Sequence, residues 1–561
     1  MRRDRYDICI IGSGAGAGPV AYELSKAGFS VVVLEKGPWI KTSQFTKDEI
    51  VAARRDVYYP SSKDEPQVIE WFDKKGNLHS KSNAGGGTGF RNGSCVGGSS
   101  NFMSGFFHRS KPADFELLSK YGAIEGANIA DWPVSYNDME PYFTKVESVI
   151  GVSGKVVKHK ALEPRSTSAF PYPPLSENYV SQLLDNAAAQ LGIETIPLPR
   201  AILSRPKGKR KSCYYSNYCG SYGCASDAKG SSRAALLDDA IATGNCDIIP
   251  YAKVFRLETN GEKVVKAHFH YKGRGDEAVK AGIFVVAAQA IETSRLLLMS
   301  KSKDYPDGLA NNSGQVGKNL IFSAGGIGSG YFRRSDFTEE EFNKLMMPGL
   351  FVNRAIQQWY EIDSKRFDRT TKGGTIDFLW EHANPIRKAV RQKWDDEGNL
   401  LFGSEYKRRL FDYFTQKRKL TFEVFNDWLP NDNCFVSLDD KVKDRYGDLV
   451  ARVRIENHPH DLRVGRYLAA KAATVLRKAG AREVSYSVSG SPPPNLQAGG
   501  CRFGNDPSTS VLDAGCKAHE VDNLYITDGS FMPTGGSVTY TWTIYANSFR
   551  VADIIRERIK S

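Results

Sequence analysis

Tyr6-Asp7-Ile8-Cys9-Ile10-Ile11-Gly12-Ser13-Gly14-Ala15-Gly16-Ala17-Gly18 is the stretch whose reading decides the fold. Residues 6–11 are short, apolar and rich in β-branched side chains, the pattern of a buried parallel strand. The glycine-rich turn that follows fits G-x-G-x-x-G/A as Gly12, Gly14 and Ala17. Val20, Leu24 and Ala27 then recur on one helical face before Gly28, and a second strand at 30–34 closes on Glu35. Each part has a physical task. Gly12 permits the tight turn, Gly14 lets the backbone approach a pyrophosphate, and a small residue at 17 lets helix and strand pack. The helix start offers free N–H groups and a positive dipole to phosphate. Glu35 stands about twenty residues past the glycines, where a carboxylate accepts hydrogen bonds from an adenosine ribose. Strand, turn, helix, strand and acid in this order predict a dinucleotide site, without distinguishing a flavin from a nicotinamide dinucleotide.

At the other end of the chain lies a second dense run. Leu496-Gln497-Ala498-Gly499-Gly500-Cys501-Arg502-Phe503-Gly504 is followed by a predicted strand at 523–527 that ends on Asp528-Gly529. A final helix is expected from near 537 to about 559, with Trp542, Tyr545, Phe549 and Ala552 on a buried face. Gly535 and Gly536 with the hydroxyls of Ser537, Thr539 and Thr541 give its start a set of anion-facing donors.

Taken together, the two ends resemble the glucose–methanol–choline (GMC) oxidoreductases. The resemblance extends to Cys95-Val96-Gly97-Gly98-Ser99-Ser100-Asn101-Phe102-Met103, similar to a second glycine motif beside the flavin, and to Asp131-Trp132-Pro133-Val134-Ser135-Tyr136. It also takes in Ala252-Lys253-Val254, the strand-then-helix run at 283–298, and Gly314-Gln315-Val316-Gly317. The motif style is that of bacterial FAD-dependent sugar, gluconate and sorbitol dehydrogenase subunits. The resemblance implies non-covalent FAD, an alcohol donor and hydride transfer to flavin N5. It implies an α/β chain in which a Rossmann-like FAD domain (1–110, 213–325, 490–561) is interleaved with an α+β substrate domain on an antiparallel sheet (111–212, 326–489). The residues it brings to FAD are Gly12, Ser13, Gly14, Ala15, Glu35, Gly98, Ser99, Asn101, Val254, Asp528 and Gly529.

In one respect the chain departs from the family pattern. Leu496 and Thr539 occupy positions where the family carries a histidine and a histidine or asparagine. Alcohol oxidation needs a base for the hydroxyl proton, and neither side chain serves. Gln497, Thr539 and Tyr540 are candidates to orient a substrate hydroxyl, with an imidazole from His108, His458, His460 or His519, His460 being preferred. Alternatives stay open: a flavin acting on a donor that needs less base, an oxygen-using oxidase, or a non-redox, lyase-like enzyme that retains FAD.

Cys213, Cys219 and Cys224 lie on a loop rich in glycine and tyrosine, with spacing C-x5-C-x4-C. This place resembles the cysteine loop of the sugar and gluconate dehydrogenases, which implies an iron–sulfur cluster handing electrons to a cytochrome subunit. The competing reading is a disulfide with one free thiol, or three inert thiols. The net charge of +12 invites nucleic acid, but no nucleic-acid motif accompanies the basic clusters at 205–211 and 387–393. No apolar run is long enough to span a membrane, and no apolar signal segment precedes the first strand. The expectation is a cytoplasmic protein, or one exported with a partner subunit.

Overall fold

Strand Tyr6–Ile11 buries every side chain except Asp7, and Val31–Leu34 buries all four, as strands covered on both faces must. In the computed structural model, which describes residues 3–53, 60–87, 89–90, 92–323, 325–493 and 496–560, Tyr6–Ile11 is central to a parallel sheet. Ile8 lies opposite Val31 on one side and Ile283 on the other. Cys246–Ile249 extends the sheet beyond Val31–Leu34, and Leu524–Ile526 pairs in parallel with Gly275–Val286. The first half of that long strand runs antiparallel to Lys263–Tyr271, which continues to Ala252–Asn260. Helices Gly18–Lys26 and Thr541–Lys560 pack against each other and contribute Val20, Leu24, Trp542, Tyr545 and Phe549 to the first core. The amino- and carboxy-terminal motifs thus share one sheet and one core.

A second, antiparallel sheet has the order Arg482–Ser487, Ile327–Arg333, Lys417–Asn426, Gly374–Trp380, Val352–Ile356, Ile196–Pro197. Leu420, Phe422 and Val424 of its central strand join Val464, Leu468, Ala469, Ala472 and Leu476 of helix Pro459–Lys478 in a second core. Alternation along a strand sends Thr421, Glu423 and Phe425 to the opposite face. The antiparallel substrate-side sheet is as expected.

Phe435–Lys443 and Leu449–Ile455 pair with Val68–Phe72 and Leu78–Ser82 in a four-stranded sheet, and Trp428, Val436, Ala451 and Val453 enter the first core. Met139, Phe143 and Val146 of helix Tyr136–Val146 do the same. Long-range strand pairing, which has no local signature, brings these segments to the first core. The terminal helix also begins later than predicted, at Thr541. Ser537 Oγ donates to the Gly373 carbonyl at 2.8 Å and Thr539 Oγ1 to the Phe106 carbonyl at 3.1 Å. These hydroxyls anchor an incoming loop instead of capping a helix. Among the described residues, no helix is long and apolar enough to cross a membrane.

Candidate active site

The opening glycines have separate jobs that their surroundings make explicit. Gly12 has φ +93°, and a Cβ there would lie 2.3 Å from the Ala287 carbonyl oxygen. Gly16 is as constrained, with Thr527 O 2.6 Å from its would-be Cβ. Gly14 is different: nothing lies within 4 Å of its would-be Cβ, so this position faces open space. Gly98, φ +56°, packs its own would-be Cβ 3.0 Å from Gly14 Cα, so the second glycine motif rests directly on the first. Behind them Glu35 is buried. Its Oε2 accepts from Ser13 Oγ at 2.5 Å and its Oε1 from the Gly37 amide at 2.8 Å, while burial pushes its carboxyl above the usual range.

That open space is one end of a continuous cleft of about 1570 Å³, counted with its solvent-filled mouth. Of the residues expected at the cofactor, Gly12, Ser13, Gly14, Ala15, Glu35, Gly98, Ser99, Val254, Asp528 and Gly529 all line it. Asn101 does not. Its Nδ2 donates to the Val96 carbonyl at 2.9 Å and the Gly98 carbonyl at 3.3 Å, so it braces the glycine loop from behind. Asp528 is saturated by its neighbours: Gln289 N at 3.0 Å, Thr293 Oγ1 at 2.5 Å and Ser530 N at 2.8 Å all donate to it. Its role is to fix the loop that carries Gly529. Sequence reasoning missed Gln289 and Asn92. Gln289 holds φ +81°, and its Oε1 accepts from Asn92 Nδ2 at 3.1 Å while its own amide donates to Gln497 Oε1. A glutamine in the tight turn between strand Gly275–Val286 and helix Ala290–Met299 was the available signal.

The cleft passes from Glu35 and Val254, over Gly12–Ala15, to Gly98, Gln497, Thr541 and Ile544. An elongated dinucleotide fits this path: an acid at one end, a bare glycine backbone in the middle, and the start of the terminal helix at the other end. At that far end Gln497 Nε2 is buried and has no hydrogen-bond partner among the described residues. An orphaned amide N–H costs about 1–3 kcal/mol, and this one borders the cleft, where a ligand can accept from it. Leu496, held at φ +64°, packs between the two cores.

The remaining sequence candidates scatter. Tyr540 is buried with its hydroxyl unpartnered among the described residues. Its environment is Gly535, whose would-be Cβ lies 2.3 Å from the hydroxyl, and the Asp427 and Asp461 carboxylates that raise its pKa after burial itself. It is not in the cleft lining. His460 lines a different cavity with Arg369, Lys372 and Asp427, and burial holds its imidazole down at about 4. His458 caps its own helix by accepting from the His460 amide at 3.2 Å, and His519 bonds Ser510 Oγ at 3.0 Å. His108 is buried and meets Asp377 Oδ1 at 3.0 Å against the antiparallel sheet.

The structure gives the iron–sulfur expectation no support. Cys213, Cys219 and Cys224 are free thiols and pack against Leu175, Ile202, Leu203, Ala228 and Leu350. Among the described residues no group of three or more Cys, His, Asp or Glu side chains is arranged to hold a metal. The loop is shaped by left-handed Tyr215, Asn217 and Ser221 and by Lys229, which donates to the Cys219 and Tyr222 carbonyls at 2.8 Å. Its thiols serve as small apolar side chains.

Comparison with known proteins agrees with this site. Two sequence profiles described as GMC oxidoreductase match residues 75–323 and 430–548. A 2-methyl-1,2-propanediol dehydrogenase of Mycolicibacterium austroafricanum is 29% identical over 99% of this chain and 96% of its own length. The fructose dehydrogenase large subunit of Gluconobacter japonicus is 26% identical over 99% and 98%. Among solved structures, pyridoxine 4-oxidase from Mesorbium loti superposes with a TM-score of 0.61 over 98% of this chain and 99% of its own, at 17% identity.

Proposed function

The chain belongs to the GMC oxidoreductase family, and on that premise we propose that it is an FAD-dependent dehydrogenase of a small polyol, sugar or diol that passes electrons to a cytochrome or quinone. It is an oxidoreductase of alcohol groups. When bound, FAD supplies the hydride acceptor. The chain's own residues supply the rest. Gly12–Gly16 would hold the pyrophosphate and Glu35 a ribose hydroxyl. The orphaned Gln497 amide N–H is a donor for the substrate oxygen. The observation that carries this reading is the cleft itself, which joins the open Gly14 backbone to the Gln497 amide.

The substrate class rests on the relatives named for a diol and for fructose. The acceptor rests on the second of these being named a large subunit, which implies a partner chain. The test is anaerobic mixing of the yellow protein with diols, polyols and sugars, followed by reoxidation. Bleaching by at least one class, with dye or cytochrome c preferred over oxygen, is the expected outcome. A flavin that no alcohol bleaches favours the non-redox alternative, and fast peroxide formation overturns the acceptor.

A further inference from the structure

Three carboxamides meet along the cleft, and one of them decides which end of the next is left for a ligand. We propose that Gln289 sets the hydrogen-bond polarity of this site: it holds the Gln497 carboxamide with its N–H free, so that the site takes the reacting oxygen as an acceptor, in the alcohol and in its carbonyl product alike. Gln497 is then the group that touches substrate, and Gln289 is its positioning residue. This deepens the dehydrogenase reading and rests on it.

Asn92, Gln289 and Gln497 all line the cleft. The two ends of a carboxamide differ as acceptor and donor, so its partners decide how it sits. The Ile291 backbone N–H can only donate, and it reaches Gln289 at 3.0 Å. That end of Gln289 is therefore the carbonyl Oε1, which also accepts from Asn92 Nδ2 at 3.1 Å. The other end, Nε2, must donate, and Gln497 answers it with Oε1. Gln497 Nε2 is what remains. Gln497 is 6% exposed, and this nitrogen has no hydrogen-bond partner among the described residues. A backbone amide of helix Ala290–Met299 thus fixes, through two side chains, what the cleft offers a ligand.

The backbone of Gln289 is a second, independent sign. It has φ +81° and ψ +149°, a region that glycine alone enters freely. Its neighbours enforce it: the Gln289 amide donates to Asp528 Oδ2 at 3.0 Å, and its carbonyl accepts from the Thr293 amide at 2.7 Å. Glycine would meet the same backbone demand without strain. Helix capping does not explain the glutamine either, because glycine at a helix start is nearly as good as a capping side chain. What glycine would lose is the link to Gln497. Strain of this kind gathers where a side chain is needed for function.

A donor suits both sides of the reaction. An alcohol oxygen can accept and donate, whereas a carbonyl oxygen only accepts. The free Gln497 N–H therefore keeps its hydrogen bond while C–O–H becomes C=O. With the carboxamide reversed, Oε1 would confront the lone pairs of the product, and only the alcohol could still bond to it by donating. Polarity at this point separates product binding from substrate binding, which general damage to the site would weaken together.

The experiment is anaerobic flavin reduction in Gln289→Gly and Gln289→Glu, each alone and on Gln497→Ala, with apoprotein melting temperature as the folding control. The probes are the diol, polyol or sugar that bleaches the flavin fastest and its own carbonyl product as inhibitor. Gln289→Gly is expected to melt at or above wild type, because it relieves the backbone, and to lose about tenfold in the second-order rate of reduction. Gln289→Glu keeps an acceptor for Ile291 and Asn92 but turns Gln497 round. It should weaken the product by about tenfold or more and the alcohol by clearly less. On Gln497→Ala neither change should alter the rate by more than about twofold, because Gln289 acts through Gln497. Selective 15N-glutamine NMR of the apoprotein reads the same turn without any alcohol. The Gln497 side-chain signal, identified by its loss in Gln497→Ala, should move downfield in Gln289→Glu as its N–H gains a carboxylate. Effects that multiply in the double variants, equal weakening of alcohol and product, or an unmoved Gln497 signal overturn this proposal alone. A displaced Gln497 signal in a protein whose flavin no alcohol reduces overturns the dehydrogenase reading instead.

Discussion

Gly12 and Gly14 are two residues apart, yet substitution should separate folding from cofactor binding. Alanine at 12 would set a Cβ 2.3 Å from Ala287 O and 2.8 Å from Ala287 C, at φ +93°. Backbone on both sides must move, so Gly12→Ala is expected to cost several kcal/mol of stability. Gly14 has no positive φ and no atom within 4 Å of its would-be Cβ. Valine there leaves the apoprotein fold intact and projects its methyls where the pyrophosphate must lie. Overpacking a close contact costs about 1–3 kcal/mol, which is about 5- to 150-fold in Kd. The assay is a pair of measurements on apoprotein freed of flavin: melting temperature, and titration with FAD followed by quenching of flavin fluorescence. Gly14→Val should melt with wild-type apoprotein and bind FAD in that weakened range. Gly12→Ala should melt well below it. Equal FAD affinity for Gly14→Val and wild type, or equal loss of apoprotein stability at both positions, refutes the assignment of the phosphate cradle.

Other expectations follow from buried charge. Lys372 Nζ bridges Asp114 Oδ1 at 2.5 Å and Asp427 Oδ2 at 2.7 Å, all buried. Lys372→Met should cost about 3–5 kcal/mol by stranding two carboxylates, with part of the loss restored by adding Asp427→Asn; an unchanged melting temperature in Lys372→Met sinks this account. Glu423 has a carboxyl raised from 4.5 to about 7 in the folded chain, so its contribution to stability is lost as pH rises through that window. Glu423→Gln should therefore gain on wild type between pH 5 and 8, up to about 3 kcal/mol; a melting difference that stays flat with pH contradicts the shift. Tyr540→Phe and His460→Ala should reduce flavin within about twofold of wild type, because neither side chain lines the cleft. Gln497→Ala should slow it by about tenfold, the worth of one hydrogen bond to the reacting oxygen. A tenfold loss in either of the first two would reinstate them at the reacting end.

What the chain announces in advance is what its backbone does locally. The turn at Gly12, the free approach at Gly14 and the acid at Glu35 lie within one strand–helix–strand unit, and each is legible because a single residue type meets a single backbone demand. The second glycine motif and Asp528 are legible for the same reason, although Asn101 and Asp528 turn out to brace loops through their own hydrogen bonds. The start of the terminal helix was misjudged because Ser537 and Thr539 read as capping hydroxyls, while their partners, the Gly373 and Phe106 carbonyls, come from remote strands and loops. His460 was preferred on its motif alone, and no spacing rule tells a helix start which cavity it will face. The surroundings of Glu423 are at the far limit of legibility, because they depend on Asp377 across the sheet and on His108, which is 269 residues from Asp377 in sequence. A cofactor cradle is built from consecutive backbone and can be read from consecutive letters. A side chain on a sheet face is specified only by strand register, and a one-residue slip would turn Glu423 into the second core and Phe422 toward the opposite face.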